Sequence, residues 1–214
     1  MKKSNVLKFI EQLKKDCKSN QVGLFLYDQK FIMDDGDKFG GWFCPVKKEL
    51  HCSFPSKLST KYVELLIHES CHMDQFINQT PKWVIEQNNE SLSVFWDWLK
   101  SDKKFNIDKH LKNVQLMEAE CEQLSIQKIV DLELGINTSQ YIQKANSYLL
   151  FYSVLKETKK WCDYPPYRFK EIWQQMPSDK ILQKFSMSTE LKDLYKSKCY
   201  KKRTIKDSNL YKTS

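Results

Sequence analysis

Apolar residues recur every three to four positions in several stretches of the chain, and this spacing predicts amphipathic helices. Ser59 or Thr60 can cap the second of these helices. Asp108 can cap a later, long helix, and Gly135 can close that helix in a left-handed conformation. The predicted helices cover residues 4–18, 60–78, 90–101, 109–134, 138–160 and, as a short capped segment, 188–195.

Short apolar runs between turn residues predict strands in the first quarter of the chain. QVGLFLYD at 21–28 is strand-like, and WFCPVKKELHCSF at 42–54 predicts a hairpin that turns at Lys47 and Lys48. DDGDKFGG at 34–41 has the composition of a turn. Strands followed by helices predict an α+β fold. We expect a small N-terminal antiparallel or mixed sheet packed on a helix, and a mostly helical C-terminal half.

The composition is that of a packed globular chain of 214 residues, with 41% hydrophobic residues. Only five glycines occur, without a GxGxxG or GxxxxGK pattern, which argues against a glycine-rich phosphate loop. We predict an N-terminal helix over 1–20, a central domain over 21–160 and a helical, aromatic extension packed on it over 161–195. A basic and flexible tail is expected over 196–214.

The first twenty residues contain no apolar run long enough for a secretory leader, and no stretch has the length of a membrane span. We therefore expect a cytoplasmic protein that has no membrane partner. The seven cysteines form no CxxC pair, so we expect mostly buried, reduced thiols.

Positive charge is concentrated at the two ends of the chain. Residues 1–20 carry six lysines against two acids, and residues 191–214 carry eight Lys/Arg against two acids. These termini could make weak contacts with nucleic-acid phosphates, while a solvated tail is the alternative explanation. The sequence indicates no oligomeric state.

The stretch LLIHESCHMDQF places two of only four histidines, His68 and His72, four residues apart around Glu69. Positions four apart lie on one face of a helix, so both imidazoles can converge on one cation. Glu69 lies beside that face and can accept a proton from a water molecule there. The alternative is a pair of hydrogen-bonded histidines without a metal.

A zinc site with two histidines and an open position needs a third protein ligand. No further histidine follows at the HExxHxxGxxH spacing, so we expect a carboxylate from another segment. QLMEAECEQLSI carries Glu118, Glu120 and Glu122 among core-type residues, where carboxylates are costly unless a positive group meets them. Glu120 points about 200° away from Glu118, while Glu122 shares its face. We therefore predict Glu118 as the ligand and Glu122 as the acceptor that orients a histidine. An acidic, solvated helix face is the alternative.

HESCH followed by E-x-x-x-E on a later helix resembles the gluzincin branch of zinc metallopeptidases. By this resemblance His68 and His72 match the two histidine ligands, Glu69 the catalytic glutamate, Glu118 the third ligand and Glu122 the acid that supports them. The longer pattern is similar to small zincin-like proteins of tailed bacteriophages. A phage origin would place the protein in the host cytoplasm.

The resemblance implies a zincin-like fold and a zinc-dependent metallopeptidase that cleaves a peptide or protein substrate. Glu69 would act as general base for the water that zinc activates. The strand ELHCSF before the HExxH helix would hold the extended substrate along its edge, with His51 on that edge strand. The candidates for stabilising the oxyanion are His110, Tyr148, Tyr152 and Arg168. Tyr148 and Tyr152, one turn apart on the helix after Glu118, are the best placed, and core packing is their alternative.

Two other functions stay open. One is a catalytically silent zincin-fold binding or regulatory protein with a structural zinc, although such a site has no use for a base at Glu69. The other is a nucleic-acid-associated protein that uses its basic termini. It predicts binding that depends steeply on salt and is indifferent to chelators.

Overall fold

Eight α-helices and five short strands make up the part of the chain that the computed structural model describes, residues 1–34, 37–101 and 105–200. The fold class is α+β and mostly helical, as the sequence predicts. The helices are α1 Lys3–Ser19, α2 Thr60–Asn78, α3 Pro81–Asn88, α4 Ser91–Lys100, α5 Asp108–Asp131, α6 Thr138–Thr158, α7 Lys170–Trp173 and α8 Thr189–Cys199, with a 3₁₀ turn at Pro166–Arg168. The strands are β1 Gly23–Tyr27, β2 Ile32–Asp34, β3 Asp37–Phe39, β4 Gly41–Cys44 and β5 Glu49–Ser53.

The helix predictions hold closely for α1, α2, α4 and α6. Asp108 is part of the first turn of α5 and Ile107 occupies the N-cap position, so the predicted cap is wrong. Gly135 has the predicted left-handed conformation, with φ of 67°, but α5 already ends at Asp131. Pro81 begins α3, a helix that the sequence analysis does not predict, at a position that needs no backbone N–H.

The first part of the predicted tail belongs to a helix. α8 continues to Cys199, beyond the short segment that the sequence predicts, and Ser188 caps it by accepting a hydrogen bond from the Leu191 N–H. Residues 201–214, which carry much of the predicted basic tail, lie outside the described residues.

A three-stranded mixed sheet has the order β1-β5-β4. β4 and β5 form the predicted antiparallel hairpin, with Gly41 opposite Cys52. β1 adds parallel to β5 on the other side, with Gly23 opposite Glu49. A separate antiparallel pair, β2 and β3, occupies part of 34–41, where the sequence predicts only a turn. Strands of three residues are too short to give a clear periodicity.

β5 is the central strand of this sheet, so the prediction that ELHCSF offers a free edge is wrong. The hairpin pattern fixes one neighbour of β5, but the parallel partner β1 comes from a segment more than twenty residues earlier. His51 accordingly lies in mid-sheet, where its ring stacks between Phe25 and Trp42 with centroid distances of 4.6 Å to each. In the described sheet the outer strands are β1 and β4.

α2 packs on one face of the sheet because both elements contribute to one apolar core. Leu50 and Cys52 of β5 share this core with Val63, Leu66 and Ile67 of α2, and all five are fully buried. The opposite side of α2 packs on α5. α2 is therefore held between the sheet and α5.

A second core joins α4, α5 and α6 to the C-terminal segment. Phe95, Phe151, Ile172 and Tyr195 are buried in it, and the Tyr195 hydroxyl donates a hydrogen bond to the Ser147 carbonyl. Most of the aromatic residues in the C-terminal extension serve this core.

The state of the cysteines and the character of the helices can be compared with the predictions from the sequence. All seven cysteines are free, and five of them are buried, as predicted. Among the described helices, none combines the length and the apolar character needed to cross a membrane.

Candidate metal centre

The facing surfaces of α2 and α5 bring together the four side chains that the sequence predicts for a metal site. His68 and His72 project from successive turns of α2, with ring centroids 4.7 Å apart and ring planes nearly perpendicular. Glu118 and Glu122 project from successive turns of α5. The four-residue spacing in each helix places every one of these side chains on the contact face.

The two imidazoles converge on one carboxylate oxygen. Nε2 of His68 lies 3.6 Å and Nε2 of His72 lies 3.5 Å from Oε2 of Glu118. Zinc bonds of about 2.0–2.2 Å at tetrahedral angles separate neighbouring ligand atoms by about 3.4 Å. The two distances to Glu118 and the donor types are therefore compatible with a zinc ion. The three side chains are 19%, 11% and 13% exposed, so solvent reaches the site.

The other ring nitrogen of each histidine lies close to an acceptor oxygen. Nδ1 of His68 lies 3.2 Å from Glu122 Oε1, and Glu122 Oε2 accepts a hydrogen bond of 2.6 Å from the Tyr141 hydroxyl. Nδ1 of His72 lies 2.9 Å from Gln75 Oε1. Because both acceptors need an N–H, the Nε2 atoms of the neutral rings carry lone pairs that face Glu118. Lone pairs opposite a carboxylate require a proton or a metal ion between them.

The acid–base properties of the site agree with this geometry. Burial by itself lowers the pKa of His68 and His72, but the neighbouring Cys121 and the carboxylates of Glu122 and Glu118 outweigh it and hold both pKa values well above the ordinary imidazole range. Burial raises the pKa of Glu118, yet His72 and then His68 bring it below its ordinary value. The carboxylates that raise the pKa of the two imidazoles would also attract a cation at this place.

Glu69 follows His68 on α2 and is not one of the predicted metal ligands. Its side chain is buried, and within the described part of the chain it has no hydrogen-bond partner. Burial raises the pKa of its carboxyl group, while His68 and His72 act in the opposite direction. A carboxylate with a raised pKa suits a residue that accepts and returns a proton near neutral pH.

Gly41 of β4 provides the space that Glu69 occupies. A Cβ atom at this position would lie 3.1 Å from Glu69 Cγ and 2.7 Å from the His51 carbonyl oxygen. The close approach of β4 to α2 therefore requires glycine here. No local sequence pattern indicates this contact, because it depends on the docking of the hairpin on α2.

The two candidate tyrosines lie in different surroundings. Tyr152 is buried in the second core, with its ring near those of Phe95 and Trp161. Tyr148 is only partly buried, and its ring lies 6.1 Å from that of Tyr167, which is 39% exposed. Burial and then Glu118 raise the pKa of both Tyr148 and Tyr152 well above the ordinary value, so both keep their hydroxyl protons.

Cys121 forms a second grouping with the histidines that the sequence analysis does not predict. The ligand atoms of His68, His72 and Cys121 all lie within 4.8 Å of one another. Cys121 Sγ lies 3.7 Å from His68 Nδ1 and donates to the His68 carbonyl oxygen at 3.3 Å. Its place three residues after Glu118 is the signal that could have identified it.

Gln75 is also absent from the sequence predictions, although its position carries a signal. It is fully buried and lies three residues after His72, on the same side of α2. A buried amide beside a candidate ligand is a natural hydrogen-bond partner for the second ring nitrogen.

Comparisons of the chain with protein-family models, with curated proteins and with solved structures find no match. The case for a metal centre therefore depends on the geometry and on the resemblance of the two motifs.

Proposed function

We propose that this chain is a zinc-dependent metallopeptidase of the gluzincin type, with a zincin-like fold. One observation supports the proposal most: Nε2 of His68 and Nε2 of His72 face the same oxygen of Glu118, at 3.6 and 3.5 Å. In this proposal the three residues are the zinc ligands, and Glu122 orients His68 from its Nδ1 side.

Glu69 is the general base in the proposed reaction. Zinc, when bound, lowers the pKa of water to about 7 and polarises a carbonyl group. Glu69 accepts the proton of the attacking water and returns it to the leaving amine as the peptide bond breaks. The Glu69 side chain is 7% exposed, and its carboxylate accepts no hydrogen bond from the described residues, which leaves it available for this transfer.

The substrate backbone lies along β4 in this proposal. β4 is an outer strand of the sheet, and its first residue, Gly41, lies directly against Glu69. An extended peptide can add to such a strand by main-chain hydrogen bonds, and glycine lets the two backbones approach closely. β4 therefore takes the role that the sequence analysis assigns to ELHCSF.

Tyr148 is the better of the two tyrosines for stabilising the oxyanion in this proposal. It is partly exposed, whereas Tyr152 is buried among aromatic rings of the second core. A donor must reach the developing charge, which a buried ring cannot do without rearrangement.

The experiment is cleavage of a peptide library by zinc-loaded wild-type protein and by its Glu69→Gln variant. We expect cleavage by the wild type, and a loss of about 10³-fold or more in the variant, which still binds zinc. Glu11→Gln, at an exposed position of α1, is the matched control and keeps full activity. Equal cleavage by the wild type and Glu69→Gln contradicts the proposal.

A structural zinc site is the second candidate, and the grouping of Cys121 with the two histidines favours it. Cobalt substitution separates the two. A ligand set with Cys121 gives a thiolate-to-cobalt charge-transfer band, which Cys121→Ser abolishes. The peptidase proposal predicts a spectrum without that band and a cobalt affinity that depends on Glu118.

A further inference from the structure

Glu120, the acid that points away from the proposed zinc site, is connected to His72 by one buried amide. Gln75 Nε2 donates to Glu120 Oε2 at 2.9 Å and to the Met117 carbonyl oxygen at 3.0 Å. Gln75 Oε1 faces His72 Nδ1 at 2.9 Å. Gln75 is fully buried, so water does not compete for these contacts.

This arrangement fixes the orientation of the Gln75 amide. Its –NH₂ group has two hydrogens, and each has an acceptor, one on Glu120 and one at the Met117 carbonyl. A rotation of the amide by 180° would place its Oε1 against Glu120 Oε2 and the Met117 carbonyl oxygen with no hydrogen atom in either contact, which is unfavourable. Gln75 therefore presents an oxygen to His72, and His72 must carry its hydrogen on Nδ1.

Glu120 is itself held in place by the start of α3. Its Oε2 also accepts from the Thr80 hydroxyl at 2.5 Å, and its Oε1 accepts from the Lys82 N–H at 3.3 Å. The first N–H groups of a helix have no intrahelical partner and favour a negative charge. α3 thus keeps the Glu120 carboxylate in position as an acceptor for Gln75.

We propose that Glu120 and Gln75 are positioning residues that set the tautomer of His72 and direct its Nε2 at the proposed zinc site. The inference rests on the metal site of the proposed function and is independent of any peptidase activity. The three acids on α5 then have separate roles, because Glu118 binds the ion, Glu122 orients His68, and Glu120 orients His72 through Gln75.

Zinc affinity, measured by competition with a chromophoric chelator, tests the proposed roles of Glu120 and Gln75. Gln75→Met keeps a similar volume and removes both the amide oxygen and the amide nitrogen. Glu120→Gln replaces the carboxylate by an amide, whose single oxygen cannot accept all the hydrogen bonds that Gln75, Thr80 and Lys82 donate. We expect zinc affinity to fall about 10–100-fold in both variants, as when other supporting residues of metal ligands are removed. Gln123→Met and Glu11→Gln, at exposed positions, are the matched controls and keep the wild-type affinity.

A long-range ¹H–¹⁵N correlation spectrum of metal-free wild-type protein at alkaline pH reads the tautomer directly and needs no variant. We expect the His72 hydrogen on Nδ1 in the wild type, and a mixture of tautomers or the Nε2–H form in Glu120→Gln. A predominantly Nε2–H ring in the wild type overturns the inference. So does a folded Gln75→Met protein with wild-type zinc affinity. If the wild type binds no zinc, the proposed function fails. The tautomer of His72 then still shows whether Glu120 and Gln75 orient its ring.

Discussion

Nδ1 of His68 lies 3.2 Å from Oε1 of Glu122, across the contact between α2 and α5. The other carboxylate oxygen accepts a hydrogen bond from the Tyr141 hydroxyl on α6. Glu122 of α5 therefore links His68 of α2 to Tyr141 of α6. The second ring nitrogen of His68, Nε2, faces Glu118. The orientation of a proposed ligand thus depends on residues that do not touch the metal position.

Removal of the Tyr141 hydroxyl tests that support. In Tyr141→Phe we expect zinc affinity to fall about tenfold, because Glu122 loses the donor that fixes it. The free energy of unfolding should fall by about 1–3 kcal/mol, the usual cost of a lost hydrogen bond to a carboxylate. Chelator competition and denaturant unfolding measure the two effects.

Tyr27→Phe is the matched control, because the Tyr27 hydroxyl bonds His51 on the sheet, away from the metal centre. It should leave zinc affinity unchanged. An equal loss of affinity in both variants would mean that the effect is one of general stability.

Zinc affinity should depend steeply on pH. Protons compete with zinc for His68 and His72, whose pKa values lie well above 6.5 in the metal-free protein because Cys121 and the carboxylates overcome the effect of burial. Affinity is then full at pH values above these pKa values and falls as the pH decreases through them, by up to about 100-fold per pH unit when both rings are protonated. Calorimetric titrations over a pH series measure this. A decline that begins only below pH 6.5 contradicts the raised pKa values.

Gly41→Ala should damage catalysis more than metal binding. The new Cβ would meet the His51 carbonyl oxygen at 2.7 Å and Glu69 Cγ at 3.1 Å. We expect a loss of about 1–3 kcal/mol in stability from overpacking, and a fall in peptide cleavage because Glu69 is displaced. Thermal unfolding, zinc titration and cleavage assays separate these effects.

Gly40→Ala is the control for that variant. Its Cβ would meet the end of the flexible Leu65 side chain at 3.1 Å, which can move at little cost. Cleavage by Gly40→Ala should stay near the wild-type rate. A greater loss there than in Gly41→Ala would argue against the contact between β4 and Glu69.

Zinc should stabilise the folded protein, because its proposed ligands come from two separate helices that a bound ion would join. At a free zinc concentration 100-fold above Kd the gain is about 2.7 kcal/mol, and a chelator removes it. The zinc-dependent rise in Tm should vanish in His72→Ala and persist in His110→Ala, whose ring is elsewhere on α5. Persistence in both variants would mean that zinc binds at another place.

The sequence predicts those parts of the site that depend on spacing within one helix. His68 and His72 are paired by the four-residue repeat of α2, and Glu118 and Glu122 by the same repeat in α5, so a helix assignment suffices. The same repeat separates Glu120 from Glu118 and correctly turns it away from the histidines. Its contact with Gln75 depends on how α2, α3 and α5 dock, which no local pattern encodes.

The sheet shows the same limit. The turn at Lys47 and Lys48 predicts the hairpin of β4 and β5, because a hairpin is local. The parallel pairing of β1 with β5 brings together residues that are distant in sequence, such as Leu24 and Leu50, and it reverses the expected roles of central and outer strand. Local sequence patterns predict which strands pair across a turn, but they do not predict the order of the strands in the sheet.

The most direct test of the account is equilibrium zinc binding by wild-type protein and Glu118→Ala, measured together by metal analysis and chelator competition. We predict one zinc per wild-type molecule and a large loss of affinity in Glu118→Ala, with wild-type binding in the exposed control Glu133→Ala. A wild-type protein that binds no zinc, or a Glu118→Ala protein that binds it as tightly as the wild type, would contradict the proposed metal centre.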